Sequence, residues 1–257
     1  MLPVYQAISF IREIPEGTTR PWLVNVLVED KLVPYVVKIF NSKQEEDNQS
    51  TVREVLGSVL ASEFDLLTPE PALIYFNDQF NDTLPIELSK KVDPHTHKFG
   101  CKYMEGAFPI NTKSSTNYII EADTIYGFDN LLFNVDRKRN KANSFLIKNE
   151  IYLIDHELCL NFNIDSAINF DERVYEYKKH LFYRDLKDLG SVKKVYAFGT
   201  FQTNLKVLNL RTIEENLDLL EDLNHFLPQR DDIINYLAFV KTNNDKFVSY
   251  LKRSICE

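Results

Sequence analysis

Apolar and β-branched residues crowd two short stretches near the start of the chain. Residues 21–29 (PWLVNVLVE) and 32–40 (LVPYVVKIF) each read as a strand, and Asp30-Lys31 between them predicts a hairpin. The polar run 41–50 predicts a loop. From 52 to 64 the period changes: Val55, Leu56, Val59, Leu60 and Phe64 share one helical face, and Thr51 with Glu54 has capping-box spacing at its start. Pro69 and Pro71 close that region, and 72–76 predict another short strand. A polar, Pro-containing stretch fills 77–98, and 99–106 (FGCKYMEG) reads as a strand and crossover.

Beyond that point the pattern turns mainly helical. Residues 212–226 carry Ile213, Leu217, Leu220 and Leu223 at helical spacing, with Thr212 and Glu215 as a capping box. Further helices are predicted at 233–240 and 247–251. No internal repeat stands out. The expected class is α+β, with a β-rich N-lobe over 1–104 and a mostly helical C-lobe over 105–257.

Composition narrows the partners. The 257 residues are 44% apolar, enough for a sizeable core, and the net charge of −8 argues against non-specific binding to nucleic acid or an anionic membrane. No apolar run approaches the roughly 20 residues that cross a bilayer, and residues 1–10 lack the pattern of a signal peptide. Cys101, Cys159 and Cys256 are odd in number and widely spaced, which disfavours a disulfide framework or zinc site. A cytoplasmic protein with reduced thiols is expected.

The chemistry concentrates in 134–157, NVDRKRNKANSFLIKNEIYLIDHE. Asp136-Arg137 opens a very polar loop that ends at Asn143. Two apolar runs, 144–147 and 151–154, flank Lys148-Asn149-Glu150, a natural tight hairpin. Asp155 follows directly on the second run, so its carboxylate emerges at a strand end. Phosphoryl transfer uses such an arrangement: hard oxygen ligands for magnesium, and a second carboxylate to accept the proton of the attacking hydroxyl. On that reading Asp155 is the main metal ligand, Asn143 an additional one, and Asp136 the catalytic base. Taken singly, each residue also fits a turn, a cap or a surface ion pair. Lys138, Arg139 and Lys141 either steer an anionic substrate or solvate the loop.

The run DRKRNKAN followed by FLI and YLIDHE resembles the catalytic and metal-binding motifs of HipA-like kinases, in their short single-domain branch. More distantly it is similar to phosphoinositide-kinase-type catalytic segments. The resemblance implies a bilobal kinase-like fold, ATP and magnesium as cofactors, and Asp136, Asn143 and Asp155 in the roles just given. It further implies that Lys38, in the strand YVVKIF, contacts ATP, and that the Gly17-Thr18-Thr19-Arg20 stretch covers the phosphates. Segment 99–105, with Cys101 and Tyr103, resembles the hinge that meets adenine. Glu54 either pairs with Lys38 or serves the capping box locally. A protein Ser/Thr is the acceptor the family implies, and an antitoxin-like partner stays open.

Departures from the family pattern temper this. No His stands in the DRKRN loop, glycine is scarce at 7 residues, and the chain is too short to include the extra N-terminal subdomain of full-length HipA toxins. A pseudokinase or ATP-binding module without transfer, or a small-molecule or lipid kinase, therefore stands as an alternative. Among other residues, His156 is expected to orient the Asp155 turn through hydrogen bonds, His180 to lie at the surface, and Cys159 to be a packed, inert thiol.

Overall fold

Five strands close into a small barrel in the N-terminal part of the chain: β1 (Val4–Glu13), β2 (Trp22–Val28), β3 (Lys31–Val37), β4 (Pro71–Phe76) and β5 (Thr96–Lys102), in the order β1-β2-β3-β5-β4. The computed structural model describes residues 1–15, 19–110, 119–173 and 177–256. Alternation along β2 points Trp22, Val24 and Val26 inward, where they meet Ala7, Tyr35, Val37, Ile74 and Phe76. β1 pairs antiparallel with β2 and parallel with β4, and its register shifts twice against β2, which bends it around the barrel. The predicted hairpin forms one residue earlier than expected. Val28 pairs with Lys31, and Glu29-Asp30 make the turn with φ of 45° and 61°, the twist that two-residue hairpins favour.

Two helices follow β3. The stretch expected as a loop contains α1 (Ser42–Asn48), capped by a reciprocal bond pair between Asn41 and Gln44. It buries no residue, so no apolar period could reveal it. α2 (Ser50–Glu63) is the predicted helix, and every residue from Ser50 to Ala61 is buried. Two short helices, α3 (Asp78–Asn81) and α4 (Ile86–Ser89), occupy the polar stretch before β5.

The C-terminal part holds β6 (Phe108–Pro109), α5 (Ile119–Leu132), and the hairpin β7 (Ser144–Ile147) with β8 (Glu150–Leu153), which with β6 makes a three-stranded sheet. Then come α6 (Ile164–Ile168), α7 (Tyr183–Lys187), α8 (Ser191–Tyr196), α9 (Gly199–Val207), α10 (Leu210–Asp222), α11 (Arg230–Thr242) and α12 (Asn244–Ser254). The expected capping box on α10 is absent: Asn209 sits at its N-cap, and Glu215 accepts from Arg211 Nε at 2.8 Å. One apolar core joins Ile125, Phe128, Phe201, Leu217 and Tyr236 to Val55, Leu56 and Leu60 of α2. α2 therefore packs on β4 and β5 on one side and on α10 on the other, tying both parts of the fold together. No helix among the described residues is long and apolar enough to cross a membrane.

Candidate active site

Lys38 stands just past the end of β3, where its N–H bonds Phe99 O at 3.0 Å. Its ammonium donates to Glu54 Oε1 on α2 and to Asp155 Oδ1 after β8, with Glu157 Oε2 3.9 Å away. Glu54 is 1% exposed, and its Oε1 also accepts the backbone N–H groups of His156 and Glu157, each at 3.1 Å. One carboxylate thus fixes both the cation and the turn that carries Asp155. The capping role for Glu54 does not form. Instead Glu45 of α1 covers the start of α2, accepting Thr51 Oγ1 at 2.5 Å and Thr51 N at 3.2 Å.

The hairpin explains how Asn143 and Asp155 meet. Its two-residue turn, Lys148-Asn149, has φ of 50° and 71° and pairs Ser144 with Leu153. One step beyond, Ile154 N donates to Asn143 O at 3.1 Å, so the backbone segments that carry Asn143 and Asp155 stay paired past the strands. Both backbones turn to positive φ, 44° at Asn143 and 67° at Asp155, a conformation that Asn and Asp tolerate better than most side chains. Asn143 Nδ2 donates to Asp136 Oδ2 at 3.0 Å, which leaves its amide oxygen turned away from that carboxylate. Lys141 donates to Asp136 Oδ2 and lies 3.4 Å from Asp155 Oδ2. The six residues Lys38, Glu54, Asp136, Lys141, Asn143 and Asp155, scattered through the chain, form one connected polar cluster.

Its charge is unbalanced. Glu54, Asp136, Asp155 and Glu157 face two ammonium groups, Lys38 and Lys141. Burial disfavours the Lys38 cation, yet the Glu54 and Asp155 charges outweigh it and hold its pKa above the ordinary value. Burial also raises Asp155, but the Lys38 charge and hydrogen bond, with Lys141 adding, bring it down to about 2. Glu54 is pushed up by burial. Glu157 is pushed up to about 7, by burial first and then by Asp155 and Glu54 against the opposing Lys38. Carboxylate oxygens of Glu54, Asp155 and Glu157 lie within 4.8 Å of one another. A surplus of hard oxygen donors with too little positive charge suits a divalent cation such as magnesium.

A second network, missed in the sequence, holds the loop from below. Asp129 on α5 is fully buried and accepts Arg137 Nε at 2.7 Å, Asn134 Nδ2 at 2.9 Å and His180 Nε2 at 2.8 Å. Burial raises its pKa, and Arg137 and His180 together more than reverse that. Arg137 Nη1 in turn donates to Asn143 O, and Arg137 O accepts Leu181 N at 3.0 Å. His180 is therefore buried, not a surface residue. Its Nδ1 accepts Phe182 N at 3.2 Å, which assigns the proton to Nε2. An acid in the apolar run IYGFDNLL was the available signal, because a buried carboxylate must have partners.

The remaining candidate residues make no hydrogen bond to the cluster among the described residues. Cys101 on β5 is within electrostatic reach of Glu54, and burial pushes its thiol up to about 12. Tyr103 N already donates to Pro34 O at 2.9 Å. Thr19 is half-buried and, among the described residues, makes no hydrogen bond to the cluster; Gly17 and Thr18 lie outside the described residues. Cys159 is buried, its thiol likewise pushed up to about 12, as expected of an inert thiol.

His156 differs from expectation. Neither ring nitrogen finds a hydrogen-bond partner among the described residues, and burial lowers its pKa to about 3. The ring instead packs on α2 at Gly57, where an added Cβ would come within 2.3 Å of His156 Cβ. Gly57→Ala is therefore expected to destabilise the protein by about 1–3 kcal/mol through overpacking and to shift the Asp155 turn. Thermal unfolding checks it; an unchanged Tm would show that the ring has room to retreat.

The HipA-like kinase family model matches residues 7–213. The crystal structure of a Helicobacter pylori proinflammatory kinase, CtkA, superposes with a TM-score of 0.52, covering 99% of this chain and 98% of that one at 12% identity, a likeness of fold. No curated protein matches the chain.

Proposed function

The chain belongs to the HipA-like kinase family, and from that premise we propose that it is an ATP- and magnesium-dependent phosphotransferase acting on a hydroxyl acceptor, a protein Ser/Thr by family resemblance. The observation that carries the reading is the continuous path Glu54–Lys38–Asp155–Lys141–Asp136–Asn143, which joins three parts of the fold at one point.

In this reading Lys38, oriented by Glu54, meets the nucleotide phosphates between the strand-rich and helical parts, divided near residue 104. Asp155 and Asn143 supply the oxygen ligands for magnesium, which when bound neutralises phosphoryl charge. Asp136 accepts the proton of the acceptor hydroxyl while its oxygen bonds the γ-phosphorus and the bond to the ADP oxygen breaks. Segment 99–105 supplies the adenine contact, through groups other than the engaged Tyr103 N–H. The protein's contribution is positioning and charge, with little covalent chemistry of its own.

Labelled ATP with magnesium, scored for label on the protein and for ATP hydrolysis, tests the reading. Asp136→Ala is expected to keep nucleotide binding and to lose transfer by about 10²–10⁴-fold, the usual worth of a proton acceptor. Undiminished transfer would remove the role given to Asp136. A wild-type protein that binds ATP without transferring or hydrolysing it would instead be a nucleotide-binding module.

A further inference from the structure

Lys141 is left without a role by the reading above, yet its ammonium lies between the carboxylate assigned the proton and the one assigned the metal. It bonds Asp136 Oδ2 and stands 3.4 Å from Asp155 Oδ2. The backbone builds this placement. Lys138 N donates to Lys141 O at 2.8 Å and Lys141 N returns to Lys138 O at 3.1 Å, closing a tight turn with Arg139-Asn140 at its tip. Lys138 also bridges to His180, so the turn is anchored on the Asp129 network rather than hanging in solvent. The side chain itself is 44% exposed, and its four-carbon stem leaves the head free to swing.

We infer that Lys141 is a further catalytic residue of this site, its ammonium moving from the two carboxylates to the phosphoryl group in transfer. The inference rests on the phosphotransfer reading above. As the acceptor oxygen bonds phosphorus, its proton passes to Asp136, the phosphorus–oxygen bond to ADP breaks, and that electron pair leaves on ADP. The phosphoryl oxygens carry negative charge throughout, and Lys141 meets it from the side where Asp136 receives the proton. Lys38 is poorly placed for this, being 15% exposed and held by Glu54 and Asp155. Lys141 differs in exposure: it is a point charge on a flexible stem, 44% exposed and tethered by a closed turn, with both of its partners, Asp136 and Asp155, in the site.

Lys141→Met keeps the stem and removes the charge. It is expected to lower kcat by about 10²-fold while KM for ATP changes by less than about threefold, and Lys141→Arg is expected to recover part of the loss. A second readout needs no turnover. Nucleotide-free Lys141→Met should bind Mn²⁺, followed by paramagnetic resonance of the free ion, about 10-fold more tightly, because a competing cation beside Asp155 is gone. A kcat within about twofold of wild type with unchanged Mn²⁺ affinity would overturn the inference and leave phosphotransfer standing. An equal loss in Lys141→Arg with a lowered Tm would make the residue structural and overturn it too. Wild-type protein that transfers no label overturns both readings.

Discussion

Replacing Asp155 by Ala is expected to lower magnesium-dependent phosphoryl transfer by about 10⁴-fold or more, since the loss of a metal-centred charge interaction is worth several kcal/mol and each 1.36 kcal/mol is tenfold in rate. Both carboxylate oxygens are committed: Oδ1 takes the Lys38 ammonium, and Oδ2 faces Lys141. Removing them breaks the path from the barrel to the loop at its middle. The fold should survive, because Lys38 keeps its bond to Glu54 and no cation is stranded in the interior. Glu54 also keeps the N–H groups of His156 and Glu157, so the turn holds its course without the side chain. The expected signature is therefore a near-native Tm with loss of both transfer and magnesium-dependent tightening of nucleotide binding. Label transfer and nucleotide titrations with and without magnesium check it. Magnesium-dependent transfer that persists in Asp155→Ala would take the metal role away from this residue.

What could be read in advance follows from how locally each feature is encoded. Strands β2 and β3 and helix α2 announce themselves because one face of each is apolar at the right period. The β7–β8 hairpin was legible for the same reason, and with it the neighbourhood of Asn143 and Asp155. α1 was not, because a helix stabilised by its caps and exposed to water has no apolar stripe. β1 was missed because a single residue of its ten, Ala7, is fully buried; barrel closure, not its own sequence, makes it a strand. The Thr51 and Thr212 capping boxes failed where another partner was closer: Glu45 in one case, Arg211 for Glu215 in the other. Long-range partners left the weakest trace. Nothing near Lys38 in the chain names Asp155, and His180 meets Asp129 from 51 residues further along the chain.

That buried contact sets the largest stability effect to be expected. Asp129→Ala should destabilise the protein by about 3–5 kcal/mol, because it leaves Arg137 as an uncompensated charge in the interior. Both side chains are 0% exposed, so water cannot take the place of the lost carboxylate. The hydrogen bonds from Asn134 Nδ2 and His180 Nε2 end on the same group and are lost together. At about 2–4 °C per kcal/mol for a chain of this size, Tm should fall by about 10 °C. Asp129→Asn should fall between the two, since an amide oxygen can still accept while the charge is gone. The loop should loosen as well, because Arg137 holds Asn143 O and the chain at Leu181. Transfer should then drop more than nucleotide affinity at temperatures where the variant is still folded. Arg137→Ala measured alongside, and the double variant, give the coupling between the pair. A cycle with no coupling, or an Asp129→Ala protein that melts with the wild type, would mean that the loop from Asp136 to Asn143 is held by its backbone turn alone.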